Sequence, residues 1–178
     1  MIVYDLTLDL GNVQIRMGSN INSFQLKIPT KLLNRNLAST AEVNSFKSHS
    51  GIYECQLVGE LDTYFLGNDI YTLEKNAQIT DTIELSVQHY SDPYFLKLSS
   101  FSLGLLAKEC PPDENGEVNA KVTIGISPDT YTDSLENKLK KALLKQHFMV
   151  IDGKRIVVNV LDIAIKPEPF GIHLLATT

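Results

Sequence analysis

The residues best placed to do chemistry lie near the N-terminus, in the stretch LDLGNVQIRMG over 8–18. Leu6, Leu8 and Leu10 alternate with Thr7 and Asp9, and Val13, Ile15 and Met17 alternate with Gln14 and Arg16. Both runs have the two-residue period of a strand whose faces differ. Gly11-Asn12 between them reads as a tight hairpin turn, with Gly11 supplying a positive φ. The hairpin sets Asp9 and Arg16 on adjacent antiparallel strands, on the face opposite the apolar one. A carboxylate and a guanidinium on that face, near the turn, point to something held beside it.

Other polar groups carry less. Lys138, Lys140, Lys141 and Lys145 gather toward the end of a helix read over 129–146, in which Glu136 and Lys140 form an i,i+4 pair. They read as a solvated face that also complements the helix dipole, rather than as a site for an anion. No zinc-type spacing links Cys55 or Cys110 to His49, His89, His147 or His173. The cysteines therefore read as reduced thiols, and the histidines as surface or partner-contact residues.

The elements that position Asp9 and Arg16 follow from the same periodicities. A third strand over 23–28 completes an antiparallel meander, which Pro29 closes. The polar stretch 33–51 reads as loop. Strands over 52–59 and 62–67 form a second hairpin, so about 31–76 reads as an insertion carrying its own small sheet. Asp92 caps a helix with Pro93 at its first position. That helix is apolar on most sides, hence buried, and Pro111-Pro112 stops it. The strand over 120–127 is apolar enough to be central and covered on both faces. Asp152-Gly153 turns a further hairpin, and a last strand follows in DIAIKPEPFG. Tyr64, Phe65, Tyr71, Tyr90, Tyr94 and Phe95 read as packing beneath the insertion. Three antiparallel strands followed by β-α-β units give an α/β chain, a mixed sheet covered by helices.

At 178 residues the chain reads as one domain with a core that needs no staples. Sixteen basic against 21 acidic residues, a net charge of -5, exclude a uniformly basic nucleic-acid surface. The N-terminus is too short and too acidic for a signal peptide, and no apolar run approaches the ~20 residues of a spanning helix. The expectation is a cytoplasmic protein with neither membrane nor nucleic acid as a direct partner.

Five segments, in order, resemble the N-terminal domain of bacterial actin-like proteins, the plasmid-segregation ATPases of the ParM type. They are LDLGN at 8–12, YFLGNDI at 64–70, GLLAKE at 104–109, KVTIGISP with its Lys-rich helix and the hairpin MVIDGKRIVVNV at 149–160, and KPEPFGIHLL at 166–175. The resemblance implies the ribonuclease-H-like half of the actin-type ATPase fold, its first domain only. That domain would occupy 1–178, with a core of 1–30 and 77–178 and an inserted subdomain of about 31–76.

Members of this family bind Mg-ATP or Mg-GTP between two similar domains. The resemblance places Asp9 near the magnesium, through water, and Gly11 and Asn12 at the phosphate turn. It places Arg16 where relatives carry a phosphate-contacting Lys. Glu168, between Pro167 and Pro169, falls where relatives hold a Glu or Gln that positions the attacking water. Two positions depart from the pattern. Val13 replaces a common Gly after the turn, and a β-branched residue resists positive φ and crowds a phosphate. Arg16 is bulkier and forked where a Lys is usual.

Relatives continue into a second domain that holds the other phosphate loop and most of the adenosine pocket. The expectation for this chain alone is half a site, with weak or absent nucleotide binding and no turnover. Implied partners are further filament subunits and a DNA-binding adaptor protein. Two alternatives stand beside this reading. One is a naturally short, non-enzymatic relative that binds, caps or assembles filaments; the other is a cleft face reused for a different small anion. A ribonuclease-H-like nuclease is disfavoured, because the strand over 121–126 has no carboxylate to share metals with Asp9.

Overall fold

The alternation at the N-terminus folds into two antiparallel strands, β1 (Val3–Leu10) and β2 (Gln14–Ser19), with Asp9 opposite Arg16 and Leu8 opposite Met17. The structure is a computed structural model, and it describes residues 2–11, 13–21, 25–38, 43–44, 51–73, 79–81, 90 and 92–167. After β3 (Gln25–Pro29) come β4 (Lys31–Asn34), β5 (Ile52–Leu57), β6 (Tyr64–Gly67) and β7 (Ile79–Asp81). Then follow α1 (Pro93–Ala107), β8 (Val118–Ile126), α2 (Asp133–Leu143), β9 (Gln146–Ile151) and β10 (Lys154–Pro167).

Among the described residues these strands form one ten-stranded sheet, in the order β3-β2-β1-β8-β10-β9-β5-β6-β4-β7. β8 runs parallel to both β1 and β10. It is central, as read, and buried except at Lys121 and Thr123. The strands of the insertion do not form a separate sheet. β10 meets β8 only from Val158 onward, so the β9–β10 hairpin projects beyond the start of β8. Its free edge then pairs with β5, from Cys55 opposite Ile151 to Leu57 opposite Met149.

Other differences have local causes. β4 has four residues and β7 three, too few for a period-two signal to emerge from a polar stretch. β10 is one strand of 14 residues, not two, because a bulge between Val160 and Asp162 absorbs the break in pattern. α2 begins later than read, since the Thr132 hydroxyl accepts from the Leu135 amide and caps it there. Gln146 already belongs to β9. His147 is buried rather than superficial, with its Nε2 2.9 Å from the Leu143 carbonyl, and burial pushes its pKa down.

The sheet is strongly curved. β3 touches β6 although they stand first and eighth in the order, and α1 touches β1, β2, β4, β9 and β10. The helix therefore lies within the concave face. This explains its apolar surface: Phe95, Leu98, Phe101, Leu103, Leu105 and Leu106 are all buried. The hydroxyls of Ser99, Ser100 and Ser102 donate to carbonyls one turn back, at Phe95, Leu96 and Leu98, so none is stranded in the core. Asp152 ties the far end together. Its amide donates to the Glu54 carbonyl (2.8 Å), its Oδ1 accepts from the Glu54 amide (3.0 Å), and its Oδ2 meets Lys108 Nζ (2.8 Å).

Gly104 sets the distance between α1 and β9. A Cβ there would lie 2.1 Å from Met149 Sδ and 2.8 Å from Ile151 Cδ1, and both side chains are fully buried. Gly104→Ala should lower stability by about 1–3 kcal/mol in urea unfolding, even though Ala favours an exposed helix over Gly by about 1 kcal/mol.

Candidate functional site

The last register pair of the first hairpin is Leu10 with Ile15. The connection is therefore longer than the two-residue turn read from Gly11-Asn12. Gly11 is not among the glycines at positive φ. It is needed for another reason: a Cβ at Gly11 would lie 2.7 Å from the Gln14 carbonyl oxygen. Close approach within the loop, not handedness, selects glycine here.

The loop is clamped from outside by Thr30, which is fully buried just after β3. Its Oγ1 donates to the Gly11 carbonyl at 2.8 Å, and its amide donates to the Val13 carbonyl at 3.0 Å. Tyr90 ties down the strand end. Its buried hydroxyl donates to the Leu10 carbonyl and accepts from the Ser127 amide, each at 3.4 Å. The ring stacks edge-on against Phe95, 5.3 Å between centroids. Nothing in the spacing of the sequence marks either residue, because each reaches the loop from a distant segment.

Asp9 lies between Arg16 of β2 and Gly125 of β8, and Gly125 adds no side chain beside it. Its side chain is only 4% exposed. Oδ2 lies 3.5 Å from Arg16 Nη1, a long contact to a guanidinium that is itself 37% exposed. Oδ1 is buried and, among the described residues, has no hydrogen-bond partner. Asp9, Gly11 and Arg16 thus converge at one end of the sheet, and Val13 projects from the same loop, 63% exposed. Asn12 and Glu168 lie outside the described residues.

Among the described residues the remaining reactive groups offer no rival centre. Cys55 and Cys110 are unpaired and buried. Burial pushes the Cys55 thiol well up and the Cys110 thiol to about 11, so both stay protonated at neutral pH. Lys140 pairs with Glu136 at 2.7 Å, and with the Tyr131 hydroxyl it holds that carboxyl below its usual range. Among the described residues no group of three or more His, Cys, Asp or Glu could hold a metal. None of their helices is long and apolar enough to cross a membrane.

A meander feeding parallel strands, with a buried carboxylate where the first strand runs into its hairpin loop, defines one half of an actin-type fold. The family profile described as "Actin like proteins N terminal domain" matches residues 7–171, and the chain belongs to that family. Among solved structures it is similar to the apo pSK41 ParM protein, at 25% identity and a TM-score of 0.78, covering 94% of this chain and 50% of that one. It is similar in fold to Ta0583, an archaeal actin homolog, at 15% identity and a TM-score of 0.69, covering 97% and 48%. A ParM filament from Clostridium botulinum follows at 13% identity and a TM-score of 0.67, covering 95% and 48%. No protein of curated function matches the sequence. The chain spans about half the length of each of these solved chains.

The Thr30 clamp gives a direct expectation. Thr30→Val removes the donor to Gly11 and should cost about 1–3 kcal/mol of stability, with faster amide hydrogen exchange confined to the loop after β1. Thr30→Ser, which keeps the hydroxyl, should restore most of the protection.

Proposed function

We propose that this chain is the N-terminal domain of an actin-like, filament-forming ATPase of the plasmid or DNA segregation type. It supplies one side of an interdomain site for Mg-ATP or Mg-GTP. Residues 1–30 and 77–178 serve as its core, and about 31–76 as a small subdomain carried on the edge of β9.

The observation that carries this reading is the state of Asp9. A buried acceptor without a partner costs roughly 1–3 kcal/mol, and more when it is ionised. Neither Arg16 at 3.5 Å nor any backbone donor relieves Oδ1. A hydrated divalent cation suits such an oxygen, because magnesium binds through one or two carboxylates and keeps several waters. The described residues fit that group: Asp9 would hold the ion's water shell, and Gly11 and the Arg16 guanidinium would serve the phosphates, with Asn12 assigned to the same turn. Bound magnesium would neutralise phosphate charge there. Glu168 is assigned to positioning the attacking water.

Relatives support the nucleotide and assembly readings. Ta0583 has been solved in complex with ADP. The Clostridium botulinum ParM and AlfA from B. subtilis plasmid pLS32 have been solved as filaments. For this chain the proposed partners are further subunits of its own kind; a DNA-binding adaptor and a cytoplasmic setting rest on the family resemblance alone. A second reading is favoured by Val13. Its exposed β-branched side chain stands where a phosphate would approach, which suits a chain that caps or joins filaments without hydrolysing nucleotide.

Calorimetric titration with Mg-ATP and Mg-GTP, with light scattering on the same sample, separates these. A half-site predicts a Kd weaker than ~100 μM, with the residual affinity lost in Asp9→Asn. A Kd well below that value would overturn the half-site. Scattering that rises with no nucleotide heat would favour the second reading.

A further inference from the structure

A second concavity lies at the opposite end of the sheet from Asp9. Asp9 sits beside Gly125 near the end of β8, whereas this pocket opens at Val118 where β8 begins. The two are separated by roughly 23 Å of strand. The pocket measures about 200 Å³. Its floor is Ala107, Val118, Ile156 and Val157, all under 10% exposed. Pro112 and Gly116 form one wall.

That wall is rigid before anything binds. Asp113 accepts from the amides of Asn115 (2.9 Å) and Glu117 (3.1 Å) and from Asn119 Nδ2 (2.9 Å). Asn119 Oδ1 in turn accepts from Asn159 Nδ2 at 3.0 Å, and the Pro111 carbonyl accepts from the Tyr4 hydroxyl at 2.9 Å. The Glu117 amide, with these other donors, holds the Asp113 carboxyl below its usual range. The Asp113 carboxylate is thus already engaged within the loop.

The rim carries Lys108, Lys154 and Arg155. Lys108 is fixed by Asp152, but among the described residues neither Lys154 nor Arg155 makes an ion pair. With Lys108 paired, Lys154 and Arg155 are the two cations the rim offers beside its apolar floor. The volume falls below the ~300–1,000 Å³ of typical small-molecule sites. It suits one anchoring side chain of a larger partner, buried in a preformed recess with charges at its margin.

We propose that this pocket receives one aromatic or aliphatic side chain from an acidic segment of a partner protein. The anchor fills the floor over Val118 and Ile156. Flanking carboxylates reach Lys154 and Arg155, whose guanidinium can take one in a two-point contact. This surface is independent of the nucleotide site.

The test is a nitrogen-15 NMR titration of the whole chain with three blocked pentapeptides, EEFEE, EEAEE and KKFKK. EEFEE should shift amides over 107–118 and 154–157, with a Kd of about 1 mM. Both EEAEE and KKFKK should bind at least about tenfold more weakly. Arg155→Glu and Lys154→Glu, both exposed and unpaired, should abolish the EEFEE shifts while leaving the urea midpoint unchanged. No pocket shifts with EEFEE at several millimolar, or equal binding of EEFEE and KKFKK, would overturn the proposal.

Discussion

The position of β1 between antiparallel β2 and parallel β8 decides the character of the sheet end that carries Asp9. A strand paired on both edges can place a side chain inside the sheet's packing without exposing it. Asp9 is such a side chain, 4% exposed, with one oxygen near Arg16 and the other unmatched. Leu6, Leu8 and Leu10, on the other face of the same strand, are wholly or almost wholly buried. A one-residue slip of β1 would put Asp9 into the core and the leucines outside. The register that builds the core therefore also fixes the carboxylate.

The rest of the molecule maintains that register. Thr30 and Tyr90 close the end of β1 from two different segments. The sheet curves until β3 reaches β6, which buries α1 inside it. Gly104 lets that helix approach Met149 and Ile151, so the β9–β10 hairpin packs against the helix while its edge pairs with β5. Asp152 joins β5, the hairpin and the end of α1 through backbone and ionic contacts. One continuous hydrogen-bonded surface thus links the cleft end to the strands of the insertion.

Much of this was legible in the sequence, and the exceptions have physical reasons. The strict alternation of β1 and β2, the Asp92 cap of α1 and the Asp152-Gly153 turn are local signals, and each folds as read. Asp9 and Arg16 were readable as sharing one face of the hairpin, but their direct pairing was not, because it depends on a loop longer than the two-residue turn. The junction of β5 with β9 was not readable, since it depends on how far a distant hairpin projects. Thr30 leaves no signal, and Tyr90 reads only as an aromatic packing beneath the insertion although it ties the end of β1 to Ser127, because each acts through a backbone carbonyl, which leaves no trace in residue identity. Gly11 was read for a positive φ when its constraint is steric, as any glycine in a loop fits both explanations. His147 was misplaced because a polar residue at an inward strand position looks superficial unless its acceptor, the Leu143 carbonyl, is known.

Under the proposed function, Asp9 serves a ligand and not the fold. Urea unfolding of Asp9→Asn against the unaltered chain, in chelator and without nucleotide, tests it most directly. Replacing a carboxylate that has an unmatched buried oxygen should leave stability equal or raise it by about 1 kcal/mol, because a long contact to a part-exposed guanidinium is worth little. A loss of more than about 1 kcal/mol would show that the Asp9–Arg16 pair holds the hairpin together, and the carboxylate would then be structural.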